Sequence, residues 1–165
     1  MQKRVITFSR NVFLPLTTVC RNRCGYCVFR TPVRDGCIMG RDEVLGILRS
    51  GAGLGCTEAL FTFGERPGEE PGFDRVLAGM GYGNILEYCR DLCVESIGAG
   101  LLPHTNAGVL SEEELAYLRP VNASMGLMLE TTARLDAHCS SPGKDPDVRI
   151  ATIEAAGKLR IPFTT

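Results

Sequence analysis

Ala59-Leu60-Phe61-Thr62-Phe63 is a near-continuous apolar run in the first half of the chain. A run this short and this apolar is typical of a strand that is buried on both faces of a parallel sheet. Amphipathic stretches flank it, from Arg41 to Ser50 with Gly51 as a stop signal, and from Ile85 to about Ser96. We therefore predict a buried strand at 59–63 that lies between two helices.

The same alternation continues outward to both ends of the chain. Ser111 and Glu114 form a capping box that predicts a helix as far as Pro120. A further helix is predicted from Val148 to Leu159, where apolar residues recur at helical spacing, namely Ile150, Ile153 and Ala156. Further strands are predicted at Val12–Leu16, Leu101–Thr105, Ser124–Leu129 and Ile161–Thr165. The first of these contains Pro15, which fits an edge strand better than a central one.

Strands that alternate with helices predict an α/β fold with a parallel sheet of about five βα units. A complete eight-stranded barrel needs ~250 residues, so these 165 residues form either an open sheet or part of something longer. A chain that ends on a strand without a covering helix favours the second. In such folds the chemistry lies in the loops that follow the strands, here after Leu16, Phe63, Thr105 and Leu129.

Composition argues against several classes of function. The 18 Lys and Arg residues are balanced by 19 Asp and Glu residues, and this net charge of −1 offers no basic stripe for nucleic acid. No apolar run approaches the ~20 residues of a membrane span, and residues 1–8 do not resemble a secretion signal. We therefore expect a cytoplasmic protein with neither a nucleic-acid nor a membrane partner. Its 8 cysteines would then be reduced, and clustered ones indicate metal binding or catalysis.

Three of these cysteines, Cys20, Cys24 and Cys27, fall within eight residues of the loop after the first strand. One loop of this length can wrap a single metal centre, and nearby arginines (Arg21, Arg23 and Arg30) could supply a positive field that lowers the pKa of the thiols. Three thiolates around a four-iron cluster would leave one iron free for a small molecule, whereas structural zinc and electron-transfer clusters want four ligands. Cys37 could serve as a fourth ligand, but nothing in its spacing requires it. The alternative to a metal site is that the three cysteines are buried and chemically inert.

The Cys-x-x-x-Cys-x-x-Cys spacing, with the aromatic Tyr26 before the third cysteine, resembles the signature of the radical S-adenosylmethionine superfamily. The resemblance implies a TIM-barrel-like fold in which Cys20, Cys24 and Cys27 hold a 4Fe–4S cluster. It also implies that S-adenosylmethionine binds the fourth iron, with Tyr26 beside it. An electron donor would then start the cleavage that releases a 5′-deoxyadenosyl radical.

Further blocks resemble one family within that superfamily, the CofG subunits of 7,8-didemethyl-8-hydroxy-5-deazariboflavin synthase. These blocks are 6–13, 20–30, 59–67, 101–108, 124–130 and 141–144. The resemblance implies a lyase of coenzyme F-420 biosynthesis that closes the deazaflavin ring with loss of ammonia. It also implies a small-molecule substrate that a CofH-type partner subunit, or a fused half, supplies. Family members are longer, so residues 1–165 would be a single radical S-adenosylmethionine core domain, a truncated N-terminal portion that is incomplete at its C-terminus.

The resemblance also assigns roles to residues at the ends of the later strands. Gly64 and Glu65 would hold the amino group of S-adenosylmethionine. The alternative is that Glu65 is an acidic residue at a helix N-terminus or a solvated charge in a loop. Ser124 and Glu130 would bind the ribose hydroxyls, unless Glu130 is also a helix-entry acid. His104 and Asn106 would face the substrate, whereas a hydrogen-bonded structural role is the alternative for His104.

For the segment Ser141-Pro142-Gly143-Lys144 we expect a solvated loop, with contact to the substrate or cofactor as the alternative. For four other cysteines we expect structural or incidental roles (Cys56, Cys89, Cys93 and Cys139). Cys89 and Cys93, which are one helical turn apart, are expected to be buried thiols. Two alternatives to the ring-closing lyase stay open. One is another radical S-adenosylmethionine enzyme, of the menaquinone-pathway or biotin-synthase-like kind. The other is a non-catalytic zinc or iron–sulfur module that uses Cys37.

Overall fold

Five strands form one parallel sheet in the computed structural model, which describes residues 5–6, 8–34 and 38–165. The strands are β1 (Asn11–Pro15), β2 (Glu58–Thr62), β3 (Leu102–Asn106), β4 (Ser124–Gly126) and β5 (Phe163–Thr164). Their order in the sheet follows the chain, and every neighbouring pair is parallel. Sequential parallel strands joined by helical crossovers are the architecture of a (β/α) barrel, and five strands make part of one. The predicted fold class is confirmed.

Helices connect each strand to the next. They are α1 (Arg41–Gly53), α2 (Phe73–Gly79), α3 (Ile85–Gly98), α4 (Glu112–Leu118) and α5 (Pro146–Lys158). The predicted capping box of α4 is present, with Ser111 Oγ accepting from Glu114 N and the Glu114 carboxylate accepting from Ser111 N. Within the described ranges, no helix has the length and apolarity that a membrane crossing requires.

The two faces of the sheet have different environments. One face packs against the helices through side chains that lie side by side in the register, Leu14, Phe61, Thr105 and Met125, each at most 1% exposed. The opposite face carries Phe13, Leu60, His104 and Ser124 in the neighbouring register positions, and Phe13 is 58% exposed. β2 is therefore fully buried on one face and only half-buried on the other, so the prediction of burial on both faces is wrong for this strand.

Several predicted boundaries are also corrected. β4 ends at Gly126 rather than Leu129, because the backbone pairing with β5 stops after Leu127 N, and Leu129 N donates to the side chain of Thr165 instead. α5 begins at Pro146, where Asp145 caps the helix, instead of Val148. The buried residues of α5 include Arg149, Thr152 and Ala156, so the predicted apolar stripe is wrong for Ile150 and Ile153, which are only half-buried. Helix α2 was not predicted. β1 lies at the edge of the described sheet, as Pro15 indicates.

Candidate metal and cofactor site

The cysteine loop follows β1 and runs beside the segment that follows β2. Backbone hydrogen bonds extend the pairing beyond the strands, from Leu16 N to Thr62 O, Gly64 N to Thr17 O and Arg21 N to Glu65 O, at 2.8–3.0 Å. A Cβ atom at Gly64 would overlap the carbonyl oxygen of Val19 and lie 2.7 Å from Cys20 Cβ. Glycine is therefore required at position 64 for the two segments to pack this closely.

The three thiols of the loop are free, with Cys20 and Cys24 half-buried and Cys27 exposed. Two of the sulfur atoms accept hydrogen bonds: Glu65 N donates to Cys20 Sγ at 3.2 Å, and Ser141 Oγ donates to Cys24 Sγ at 3.3 Å. Burial raises the pKa of Cys20, and the hydrogen bonds from Asn22 N and Glu65 N only partly offset it. A bound metal would stabilise the thiolate that burial disfavours.

The arginines near the thiols are engaged by carboxylates. Arg21 pairs with Glu65 and Glu69, at 3.1 and 2.9 Å. Arg30 pairs with Glu70 at 3.1 Å, and its Nε donates to the carbonyl oxygen of Cys20 at 2.9 Å. The expectation that these arginines lower the pKa of the thiols is therefore wrong for Cys20, because the glutamates neutralise their charge and burial dominates.

The donor set fits a four-iron cluster. Three thiols lie in one short loop, and two of their sulfurs already accept the N–H and O–H hydrogen bonds that support cluster thiolates. Among residues 5–6, 8–34 and 38–165, no three His, Cys, Asp or Glu side chains converge on one ion. Ligands of a cluster each bind a different iron, so they lie farther apart than ligands of a single ion. Cys37, the alternative fourth ligand, lies outside the described residues.

Glu65 lies at the centre of a buried ion-pair network. Its side chain is 5% exposed, and Oε2 accepts hydrogen bonds from Arg149 Nη1 at 3.1 Å and from Val109 N at 3.2 Å. Oε1 is taken by Arg21. Glu65 is thus neither a helix-entry acid nor a solvated charge. It links the cysteine loop to the later helix α5.

Tyr26 and Glu130, predicted to lie near the cofactor, contact each other. The Tyr26 hydroxyl donates to Glu130 Oε2 and lies 2.9 Å from His138 Nε2, and Lys144 Nζ donates to Glu130 Oε1. Burial opposes ionisation of Glu130, but the hydrogen bonds from Lys144 and Tyr26 outweigh it and lower the pKa of this carboxyl. Glu130 has a φ of 65°. This left-handed conformation is rare for a residue other than glycine, asparagine or aspartate.

His104, Ser124 and Asn106 form a second group, on the sheet face that the helices do not cover. His104 Nδ1 lies 2.7 Å from Ser124 Oγ, across neighbouring strands, and burial lowers the pKa of His104 despite the opposing charge of Glu58. Asn106 ends β3 two residues further on, on the same face. A hydrogen-bonded pair of neutral groups on an open face can recognise polar groups of a ligand.

The segment 137–144, called the clasp below, is more buried than the sequence predicted. Ser141 is 3% exposed and Gly143 is buried, so the expected solvated loop is wrong for both residues. Gly143 N donates to Asn22 Oδ1, and Gly25 N donates to Ala137 O. Arg149, Asn22 and His138 were also missed. Of these, only Asn22 carried a local signal, its place between Cys20 and Cys24.

The prediction that Cys89 and Cys93 are buried thiols is confirmed, since both are 0% exposed.

Comparison with known families agrees with this arrangement, since the radical SAM superfamily profile matches residues 14–165. The chain belongs to the radical SAM superfamily. The cysteine loop, the end of β2 and the clasp all lie within the matched residues. The superfamily implies a 4Fe–4S cluster and S-adenosylmethionine as cofactors.

Curated relatives narrow the comparison further. The chain is 67% identical over all of its 165 residues to 7,8-didemethyl-8-hydroxy-5-deazariboflavin synthase of Methanosphaerula palustris, and this match covers 50% of that relative. It is 54% identical to the synthase of Methanosarcina mazei over 97% of this chain and 48% of that one. The chain thus spans about half the length of the curated relatives it matches.

Solved structures support the fold. Methylornithine synthase superposes with a TM-score of 0.62 at 20% identity, over 90% of this chain and 41% of that chain. The FeFe-hydrogenase maturase HydG from Carboxydothermus hydrogenoformans gives 0.67 at 18% identity, over 92% and 34%. At such identities the likeness concerns the fold alone, and it agrees with a partial (β/α) barrel of the radical SAM type.

Proposed function

We propose that this chain is the cluster-binding core of a radical SAM lyase that closes the deazaflavin ring of 7,8-didemethyl-8-hydroxy-5-deazariboflavin, in coenzyme F-420 biosynthesis. The substrate would be 5-amino-5-(4-hydroxybenzyl)-6-(D-ribitylimino)-5,6-dihydrouracil, which loses ammonia. The observation that carries the proposal is the 67% identity to such a synthase over every residue of the chain. Residues 1–165 would act as one radical SAM core unit within this enzyme.

Cys20, Cys24 and Cys27 would hold the cluster, and the chain after β2 would help to hold S-adenosylmethionine. When bound, these two cofactors supply the carbon radical that removes a hydrogen atom from the substrate. Around them, the residues of the chain position the thiolates. Glu65 N and Ser141 Oγ each direct a hydrogen bond at a sulfur, and Gly64 allows the two loops to approach closely.

The role assigned to Glu65 is narrowed by its contacts. Both carboxylate oxygens are occupied: Oε1 accepts from Arg21, and Oε2 accepts from Arg149 and Val109 N. The ammonium group of S-adenosylmethionine would therefore reach this carboxylate only in exchange for one of these donors. We assign the amino-group contact to the Gly64–Glu65 segment and the buried pairing with Arg149 to the Glu65 side chain.

The open face of the sheet is the proposed substrate side. His104 and Asn106 present hydrogen-bonding groups there, which suit the uracil and ribityl groups of the substrate. Ser124, which pairs with His104, would bind the ribose hydroxyls of S-adenosylmethionine together with Glu130. Burial lowers the pKa of His104 and so favours its neutral ring; because Nδ1 pairs with Ser124 Oγ, Nε2 is the ring atom that can contact the substrate. A CofH-type partner or fused half that supplies the substrate, and a separate electron donor, complete the proposal.

The first experiment tests cofactor binding by the chain itself. After anaerobic reconstitution with iron and sulfide, we expect a 4Fe–4S cluster by iron counting and by absorbance. Addition of S-adenosylmethionine should then change the electron paramagnetic resonance spectrum of the reduced cluster, because it binds an iron without a cysteine ligand. A cluster that four cysteines hold would give no such change, and would favour the non-catalytic module.

The second experiment tests the ring closure. A chimera in which these 165 residues replace the matching half of the Methanosphaerula palustris relative should convert the hydroxybenzyl-uracil adduct to a fluorescent deazaflavin. The same chimera with Cys24→Ala is the matched control and should give none. Release of 5′-deoxyadenosine without deazaflavin, from a cluster-loaded chimera, would contradict this substrate and favour another radical SAM reaction.

A further inference from the structure

Ser141 lies in the clasp, between β4 and α5, at a distance of 117 residues along the chain from Cys24. Its side chain is buried although its neighbour Ser140 is exposed. A buried hydroxyl needs hydrogen-bond partners, and Ser141 has two in the cysteine loop. Arg23 N donates to Ser141 Oγ at 3.0 Å, and Ser141 Oγ donates to Cys24 Sγ at 3.3 Å.

The direction of this second bond is determined by chemistry. A thiolate that ligates iron has no proton and can only accept, so the proton between the two atoms belongs to Ser141. The hydrogen bond from Arg23 N occupies one lone pair of the hydroxyl and fixes its position. The remaining clasp contacts hold the backbone of Ser141 in place, from Gly25 N to Ala137 O at 2.8 Å and from Gly143 N to Asn22 Oδ1 at 3.0 Å.

We propose that the Ser141 hydroxyl is a hydrogen-bond donor to the cluster ligand Cys24 and raises the reduction potential of the 4Fe–4S cluster. This inference rests on the proposed function in one respect, that Cys20, Cys24 and Cys27 hold the cluster. Ser141 contacts a ligand and no reacting atom, so it is a positioning residue.

The physical reason is the charge that reduction adds. One electron from an external donor enters the cluster, and negative charge on its sulfur atoms increases. A hydrogen bond to a more negative acceptor is stronger, so the donor stabilises the reduced state more than the oxidised state. Cys20 accepts its hydrogen bonds from the backbone N–H groups of Glu65 and Asn22, which side-chain substitution cannot remove. Ser141 is thus the donor that mutagenesis can test directly.

The test is a redox titration with sodium dithionite, in which electron paramagnetic resonance follows the reduced cluster. Two comparisons separate the effect of the hydroxyl on the potential from the effect of side-chain volume. One compares the wild type with Ser141→Ala, and the other compares Ser141→Thr with Ser141→Val. We expect about a tenfold lower equilibrium constant for reduction without the hydroxyl, a potential about 59 mV more negative. Ser140→Ala removes an exposed hydroxyl, which lies 3.7 Å from Cys139 Sγ, and should leave the potential unchanged.

Three outcomes overturn the inference. The first is an equal potential in all loaded variants. The second is a shift in Ser141→Thr as large as that in Ser141→Val, since threonine retains the hydroxyl. The third is loss of the cluster from both variants that lack the hydroxyl, which would assign Ser141 to cluster assembly. Failure of the proposed function is a different result, because the wild-type protein would then hold no cluster or would show no response to S-adenosylmethionine.

Discussion

Arg149 Nη1 lies 3.1 Å from Glu65 Oε2, and the two side chains are only 3% and 5% exposed. This pair joins helix α5 to the segment that follows β2. Arg149 also donates to the carbonyl oxygens of Met128 and Gly143, so it holds both ends of the chain that connects β4 to α5. The cysteine loop is attached to the same group through Arg21. The pair therefore couples the cluster loop to the second half of the chain.

Substitution Arg149→Ala should destabilise the protein strongly. It leaves a buried carboxylate without one of its two arginine partners, and breaking a buried pair typically costs about 3–5 kcal/mol. The free energy of unfolding, measured by urea denaturation without iron, checks this prediction. Arg134→Ala is the matched control, because Arg134 pairs with Asp145 and Asp147 while 67% exposed. An exposed pair contributes little to stability because solvent screens the two charges, and equal losses in the two variants would contradict the prediction.

Gly64→Ala should destabilise the cysteine loop. Its Cβ would overlap the backbone of Val19, which cannot move without disturbing Cys20. Overpacking of this kind costs about 1–3 kcal/mol, and we also expect reduced iron loading. Gly157→Ala is the control, since a Cβ there meets no atom within 4 Å and the residue lies in α5. It should be neutral or stabilising by up to about 1 kcal/mol. Thermal unfolding and the iron content after reconstitution test this prediction. Iron loading of Gly64→Ala equal to that of the wild type would contradict it.

Local sequence patterns were sufficient for the order of the strands and of every helix except α2. Each strand and most helices can be predicted from their own residues, as at Ala59–Phe63 and at the Ser111 capping box. The error at the end of β4 occurs where a buried apolar residue follows the strand and its N–H still donates to Thr164 O of β5. Leu127 is 0% exposed although β4 ends at Gly126. Periodicity reports burial, so it cannot distinguish a strand from a buried connection.

The candidate site was predictable only where its residues are close in sequence. Cys20, Cys24 and Cys27 are recognisable by spacing alone, whereas Ser141 reaches Cys24 across 117 residues and Arg149 reaches Glu65 across 84. Such contacts depend on how the loops pack after the sheet has formed. Arg149 also occupies a core position that an apolar pattern assigns to other residues, so no pattern in α5 indicates its role.

Iron loading should depend on the triplet and on no other described cysteine. Cys24→Ala removes one of the thiolates and should abolish the bound cluster, as measured by iron counting after anaerobic reconstitution. Cys139→Ala is the control, because Cys139 is also a free thiol but lies outside the cysteine loop, and it should load like the wild type. Cys37→Ala should load normally as well. Loss of the cluster from Cys37→Ala would instead indicate four protein ligands and no open iron.

His104 should make the stability of the fold depend on pH. Burial lowers the pKa of His104 below its ordinary value of about 6.5, so the unfolded chain takes up a proton at a higher pH than the folded one does. The stabilising contribution of neutral His104 is therefore complete at pH values above about 6.5. This contribution is lost progressively as the pH falls from there through the lowered pKa of the folded state. Urea denaturation from pH 7.5 downward measures this slope, which His104→Gln should flatten. His138→Gln removes the other histidine and should keep the contribution of His104. Parallel slopes in the wild type and His104→Gln would show that burial of His104 does not affect its protonation.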